Sequence, residues 1–214
     1  MLDQKTIKEF ITELGSSSPV PGGGGVSALG SALACALGSM VFNLTVGKKV
    51  YNEYGDKEKT IILNNLELCL ENQDSFLELM NKDKESFLIL MSTFKLPKGS
   101  SVEIEIRNEK IQEGYKGALE VPLLVAEESY KIYDSIDIAA KLGNKNVISD
   151  AGVSVLMLQA SIESAVLNVR INLSGIKDET YKEKIQERCT ELINNGRVKR
   201  DKILLIVNEN ILNA

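Results

Sequence analysis

Residues 14–47 carry no charge: between Glu13 and Lys48 every side chain is apolar, small or neutral polar. A run of that length belongs inside a protein or inside a bilayer. Pro19 and Pro21 precede four consecutive glycines, Gly22 to Gly25. The prolines stiffen the approach, and the glycines leave a backbone with no Cβ in the way. The pattern then predicts a helix over 25–46. Its first N–H groups are unpaired, and its positive dipole end suits an anion or a polar ring edge. Gly30, Ala34 and Gly38 recur every fourth residue, so one face is nearly bare and another helix can approach closely. The stretch reads as a glycine loop for something flat or anionic, carried by a buried helix. A membrane span fits the length and the small-residue face. The scattered Ser, Asn and Thr and the missing aromatic belt favour a core helix instead.

The rest of the chain reads as helix as well. Residues 3–14 form a short amphipathic helix with Ile7, Phe10, Ile11 and Leu14 on one face, stopped by Gly15. A long helix is expected over 57–94, and Leu96-Pro97-Lys98-Gly99 breaks the chain after it. Residues 101–142 form another, with Pro122 expected to kink or interrupt it near Glu120–Val121. Gly143 and Asn144 cap its end. Ser149-Asp150 has N-cap character for a further helix to Leu173, whose apolar positions almost surround it, Val153, Leu156, Met157 and Ala160 included. Asp178 caps a last amphipathic helix over 179–212. With 214 residues and no hairpin signal, the expectation is one all-α domain over 1–214. It is a helical bundle with long kinked helices around a central apolar, small-residue helix.

Composition removes several classes of function. A net charge of −5 with scattered basic residues argues against nucleic acid as partner. The three cysteines, Cys35, Cys69 and Cys189, form no CxxC pair and read as buried free thiols of a cytoplasmic protein, with no metal and no cofactor called for. The N-terminal amphipathic pattern is not that of a signal peptide. There is no histidine at all. Acid–base chemistry therefore falls to Asp, Glu, Lys, Tyr, Cys or water, and Ser-His-Asp and Cys-His arrangements are excluded.

Each motif has a plain structural reading beside the functional one. Gly23-Gly24-Gly25-Val26-Ser27-Ala28 fits GxGxxA, but Ser-Ser-Ser-Pro-Val-Pro precedes it instead of a strand, so a dinucleotide site is rejected. Ser31-Ala32 follows Gly30 where a phosphate-binding P-loop needs Lys-Ser or Lys-Thr. Lys48 and Lys49 end the apolar helix, where they either complement its dipole or clamp a polyanion. Asp83 stands in a charged part of the long helix; in an apolar pocket its pKa would rise into the range of a general acid. Asn146, Asp150 and Asn168 put polar groups at both ends of the second apolar helix, either for bonds between helices or for the edges of a heterocycle.

Taken in order, these segments resemble the formimidoyltetrahydrofolate cyclodeaminase / methenyltetrahydrofolate cyclohydrolase family. The resemblance is carried by Ser18-Pro19-Val20-Pro21-Gly22-Gly23-Gly24 and by Asn43-Leu44-Thr45-Val46-Gly47-Lys48-Lys49-Val50-Tyr51. It continues in Asp83-Lys84-Glu85-Ser86-Phe87 with Leu96-Pro97-Lys98, in Gly143-Asn144-Lys145-Asn146 with Ser149-Asp150, and in Asn168-Val169-Arg170-Ile171-Asn172-Leu173. Ser86, Val50 and Lys145 depart from the alanine, third lysine and proline usual at these places. The resemblance implies an all-α homodimer acting on the one-carbon bridge between N5 and N10 of tetrahydrofolate, by deamination or by hydrolysis. It implies Asp83 as proton donor, and Pro21, Gly22, Gly23, Gly24, Asn43, Lys48, Lys49, Asn146, Asp150 and Asn168 as folate-binding residues. The other reading is a non-catalytic helical dimer that binds folate or a protein.

Overall fold

The computed structural model describes residues 1–213, and every regular element among them is helical. Seven α-helices follow one another: α1 (Ile7–Leu14), α2 (Gly23–Asn43), α3 (Lys49–Glu53), α4 (Asp56–Thr93), α5 (Ser101–Leu142), α6 (Ile148–Leu173) and α7 (Glu179–Leu212). Two 3-10 turns, Leu2–Gln4 and Lys145–Val147, join the set. The helices begin where polar caps satisfy their free N–H groups. Thr6 with Glu9 and Ser100 with Glu103 form capping boxes on α1 and α5, and Asp178 accepts from the Tyr181 N–H to start α7.

α2 is the central helix. It lies between α4 and α6, α5 packs against all three, and α7 covers α6 and α5. The expected bare face explains how so many neighbours fit. A Cβ on Gly30 would collide with the Ser161 hydroxyl of α6, and one on Gly38 would stand 2.7 Å from Ile136 Cδ1 of α5. Ser154 Oγ donates to the Ala34 carbonyl at 2.7 Å, and Ser31 and Ser129 share a 2.6 Å hydrogen bond between α2 and α5. Ser31 of the charge-free stretch thus pairs across the core, while the buried Ser39 hydroxyl has no partner among the described residues. Cys35, Cys69 and Cys189 are all buried and free.

Several expectations need correction. The first segment is a 3-10 turn followed by α1, because Thr6 caps at an extended residue. Of its apolar face only Phe10 is buried, while Ile7 and Ile11 are exposed. α2 starts at Gly23, so Gly23 and Gly24 belong to its first turn instead of a loop, with Gly22 extended as N-cap. It ends at Asn43, and α3 follows unforeseen. α6 starts at Ile148 with no side-chain cap, placing Ser149 and Asp150 inside its first turn. Nor is α6 buried all round: Val153, Leu156, Ala160, Leu167 and Ile171 are exposed.

Pro122 does not interrupt its helix. It lies inside α5, which runs unbroken as helix from Ser101 to Leu142. Proline lacks the N–H that would reach the carbonyl four residues back, at Ala118. The Asn172 Nδ2 of α6 takes that place, donating to the Ala118 carbonyl at 3.0 Å. The freed acceptor is satisfied by a side chain from another helix, so the element continues.

Candidate active site

The N-terminal turn of α2 has no capping side chain of its own. The Asp83 carboxyl of α4 stands against it instead. A Cβ on Gly24 would land on the Asp83 carboxylate, and a Cβ on Gly23 would come within 3.2 Å of the Asn168 amide. Glycine at these two positions therefore makes room for two polar side chains from other helices, α4 and α6. Burial pushes the Asp83 carboxyl up to about 6, partly offset by the Gly25 backbone N–H.

The carboxyl faces a cavity of about 270 Å³ whose walls come from the Pro19–Gly24 segment, α4, α5 and α6. That is just under the roughly 300 Å³ lower end of small-molecule sites, so it holds part of a ligand of folate size. Phe87 and Ile171 give it apolar walls, and Asn168 and Asn172 give it amides. Asn168 Nδ2 donates to the Ser164 carbonyl at 2.9 Å, and Asn172 Nδ2 donates to the carbonyls of Ala118 and Asn168. Asn172 thus uses both its donors internally and Asn168 one of its two, and their Oδ1 atoms accept nothing among the described residues. Two free acceptors beside a flat apolar wall suit the N–H edge of a heterocycle.

The candidate residues separate into two groups. Asp83, Gly22, Gly23, Gly24 and Asn168 line the cavity, and Pro21 is buried next to it after a cis Val20–Pro21 bond. Lys48, Lys49 and Asn146 line a different hollow with Glu53 and Asn144. Asn43 ends α2 and Asp150 opens α6 at that same end. The 21 residues of α2 separate the groups by about 30 Å. Sequence reasoning noted the Asn172 amide without assigning it to the site, and it overlooked Ala118. The signal was Pro122, which frees the Ala118 carbonyl that holds Asn172. No group of three His, Cys, Asp or Glu side chains among the described residues is placed to hold a metal ion.

The raised pKa makes a stability prediction whose sign is fixed. A carboxyl at about 6 in the fold, against an ordinary 3.8, binds its proton more tightly when folded. Its contribution favours the fold below pH ~4 and is lost as pH rises through ~6. Asp83→Asn removes that loss. The variant is expected to be more stable than the parent by about 1–3 kcal/mol at pH 7.5, with the gap closing near pH 4, in urea unfolding at both pH values.

Comparison with known proteins supplies the chemistry that fits this cavity. The formiminotransferase-cyclodeaminase family matches residues 6–191. A methenyltetrahydrofolate cyclohydrolase of Methylorubrum extorquens is 41% identical over 192 residues, covering 90% of this chain and 89% of its own. The formimidoyltransferase-cyclodeaminase of Gallus gallus is 32% identical over 90% of this chain, which spans only 35% of that longer protein. The crystal structure of a formiminotetrahydrofolate cyclodeaminase from Thermotoga maritima superposes with a TM-score of 0.78 at 27% identity, over 98% of this chain and 97% of that one.

Proposed function

The chain belongs to the formiminotransferase-cyclodeaminase family, and on that premise we propose that it is a tetrahydrofolate one-carbon enzyme acting at the carbon between N5 and N10. The observation that carries the reading is Asp83: a carboxyl titrating near neutrality, against a helix N-terminus, in a cavity with two free amide acceptors. The pterin lies flat in the cavity with its N–H edge on Asn168 and Asn172. The one-carbon bridge then faces Asp83.

Hydrolysis of 5,10-methenyltetrahydrofolate to 10-formyltetrahydrofolate stands first, because the cyclohydrolase relative has the higher identity over nearly its whole length. Asp83 as carboxylate takes a proton from water as its oxygen bonds to the methenyl carbon. The resulting carboxylic acid returns that proton to N5 as the N5–carbon bond breaks, and the hydroxyl proton passes to solvent as the formyl C=O forms. Cyclodeamination of 5-formimidoyltetrahydrofolate stands second, carried by the superposition with the Thermotoga maritima enzyme. There N10 bonds to the formimidoyl carbon, the imino nitrogen takes one proton from Asp83 as acid and one from N10, and it leaves as ammonia as the methenyl bridge closes. In both directions, holding the attacking atom against the carbon supplies on the order of 7–11 kcal/mol of the barrier reduction. The test is to supply each folate separately and follow the methenyl chromophore.

The assembly we propose is a homodimer in the cytoplasm, where buried thiols stay reduced. α4, α2 and α6 lie side by side, and each leaves an apolar stripe uncovered. Leu63 and Leu70 on α4, Val26, Leu33 and Met40 on α2, and Val153, Leu156 and Leu167 on α6 are all exposed. Both α2 and the Lys145–Leu173 segment are long and apolar enough to cross a membrane, yet more than half of each is buried in this fold. Exposed apolar side chains on three neighbouring helices are the kind of surface that marks a protein–protein contact. A second copy covers that face. Leu33→Glu with Leu167→Glu is expected to give a folded monomer in light scattering; a dimer unchanged by both charges would contradict the assignment.

A further inference from the structure

We propose that Pro122 is a positioning residue for the Asp83 cavity: by leaving the Ala118 carbonyl without its helical partner, it fixes the Asn172 amide as a pure acceptor and so selects a ring edge that carries N–H donors. The proposal rests on the folate-enzyme reading above and adds to it how the cavity chooses between ring edges.

Proline in the interior of a helix costs more than any other residue. Pro122 is nevertheless buried near the middle of the 42 residues of α5. An alanine there would continue the helix unaided. What the proline supplies is a free carbonyl oxygen on Ala118, because no N–H stands four residues further on. Ala118 is 4% exposed, so that oxygen needs a partner from the protein itself. The partner is Asn172 Nδ2 of α6, at 3.0 Å, and Ala118 and Asn172 both line the Asp83 cavity.

The consequence falls on the Asn172 amide, which has two N–H groups and one oxygen. One N–H goes to Ala118. The other goes to the Asn168 carbonyl, one turn back on α6, at 3.0 Å. Turning the amide over would set its oxygen against both carbonyl oxygens, so Oδ1 alone is left for the cavity. A backbone N–H at position 122 would give the Ala118 oxygen its helical partner and release one Asn172 N–H. The amide could then offer the cavity a donor as readily as an acceptor. Asn168 is held less tightly. Its Nδ2 makes one bond, to the Ser164 carbonyl at 2.9 Å, and keeps its other hydrogen. The pair therefore presents two acceptors and one donor. A 2-amino-4-oxo pyrimidine edge answers that set with N–H at N3, N–H on the 2-amino group and an oxygen at C4. A 2,4-diamino edge carries a lone pair at N3 and meets the fixed acceptor of Asn172 with an acceptor of its own.

Pro122→Ala, Asn172→Ala and the double variant test this in two ways. Calorimetry with tetrahydrofolate and with its 4-amino-4-deoxy counterpart reads the choice of edge. The parent is expected to bind the 4-oxo compound at least about tenfold more tightly, and Pro122→Ala to narrow that ratio to roughly threefold. In the Asn172→Ala background, Pro122→Ala should leave the ratio where it is. A packing role alone would weaken both compounds alike. An unchanged ratio in Pro122→Ala overturns the proposal, as does a ratio that Pro122→Ala still shifts once Asn172 is gone. Urea unfolding reads the link without any ligand. Pro122→Ala should raise the midpoint more in the Asn172→Ala background, where it supplies a partner that the Ala118 oxygen lacks, than in the presence of Asn172, where that oxygen is already bonded. Equal midpoint gains in the two backgrounds overturn the link whatever the protein does to folates. A parent that binds neither compound contradicts the folate-enzyme reading and removes the choice of edge with it, a failure that the urea result keeps distinct from a missing link between Pro122 and Asn172.

Discussion

Asp83→Asn is expected to lower turnover by about 10²–10⁴-fold while tetrahydrofolate still binds. The amide keeps the size and the polar contact with the start of α2 but cannot exchange a proton. Calorimetric binding with tetrahydrofolate alongside the kinetic assay separates the two roles. The same carboxyl sets the pH dependence, and the two reaction directions predict opposite slopes. Hydrolysis begins with Asp83 ionised, so kcat/KM should rise with pH through a midpoint near 6. Deamination needs Asp83 protonated, so kcat/KM should fall as pH rises through the same midpoint. The sign of that limb therefore identifies the reaction, and Asp83→Asn should flatten it. Parent-like turnover in the variant would remove Asp83 from the mechanism.

Gly24→Ala is expected to cost activity on the order of 100-fold, although alanine is the better helix former by about 1 kcal/mol. The added Cβ would occupy the place of the Asp83 carboxylate, so the carboxyl must swing away from the cavity or α2 must lift off α4. Gly25→Ala is the matched control. Its Cβ meets Met80 Cγ at 3.5 Å, an ordinary contact against a flexible side chain. Both substitutions make the same gain in helix propensity, one residue apart. Gly25→Ala should keep near-parent kcat/KM and Gly24→Ala should not. Equal kinetics in the two variants would mean that the glycine at position 24 serves helix packing and leaves the carboxyl undisturbed.

These glycines show what was legible in the chain and what was not. The uncharged run between Glu13 and Lys48, its four-residue spacing of small residues and its burial could be read directly, because periodicity encodes which face meets the core. The position of the helix start could not. Gly23 and Gly24 look like a loop by composition, and what makes them helix is the carboxyl of Asp83 and the amide of Asn168 at the places their side chains would need. That is tertiary information. That Pro122 does not interrupt α5 was hidden for the same reason, since its missing hydrogen bond is made good by Asn172, 50 residues later in the chain. Asp83 was picked out by the missing histidines and the family resemblance; periodicity alone made it one more surface carboxylate. The separation of Lys48 and Lys49 from Asp83 was equally hidden, because a motif order along a sequence does not say that a rigid helix holds its parts 30 Å apart, a distance of about 20 residues of helix. Val153 and Leu156 were read as core because apolar composition alone does not say whether a helix face is covered, and both are exposed.

The most direct measurement supplies the pure protein with 5-formimidoyltetrahydrofolate and with 5,10-methenyltetrahydrofolate in separate cuvettes and follows the methenyl absorbance in each. The proposed function expects the chromophore to appear from the first or to disappear from the second well above the buffer rate, and expects Asp83→Asn to abolish the change. A flat trace in both cuvettes, from protein that binds tetrahydrofolate, would contradict it and leave a helical folate-binding dimer without catalysis.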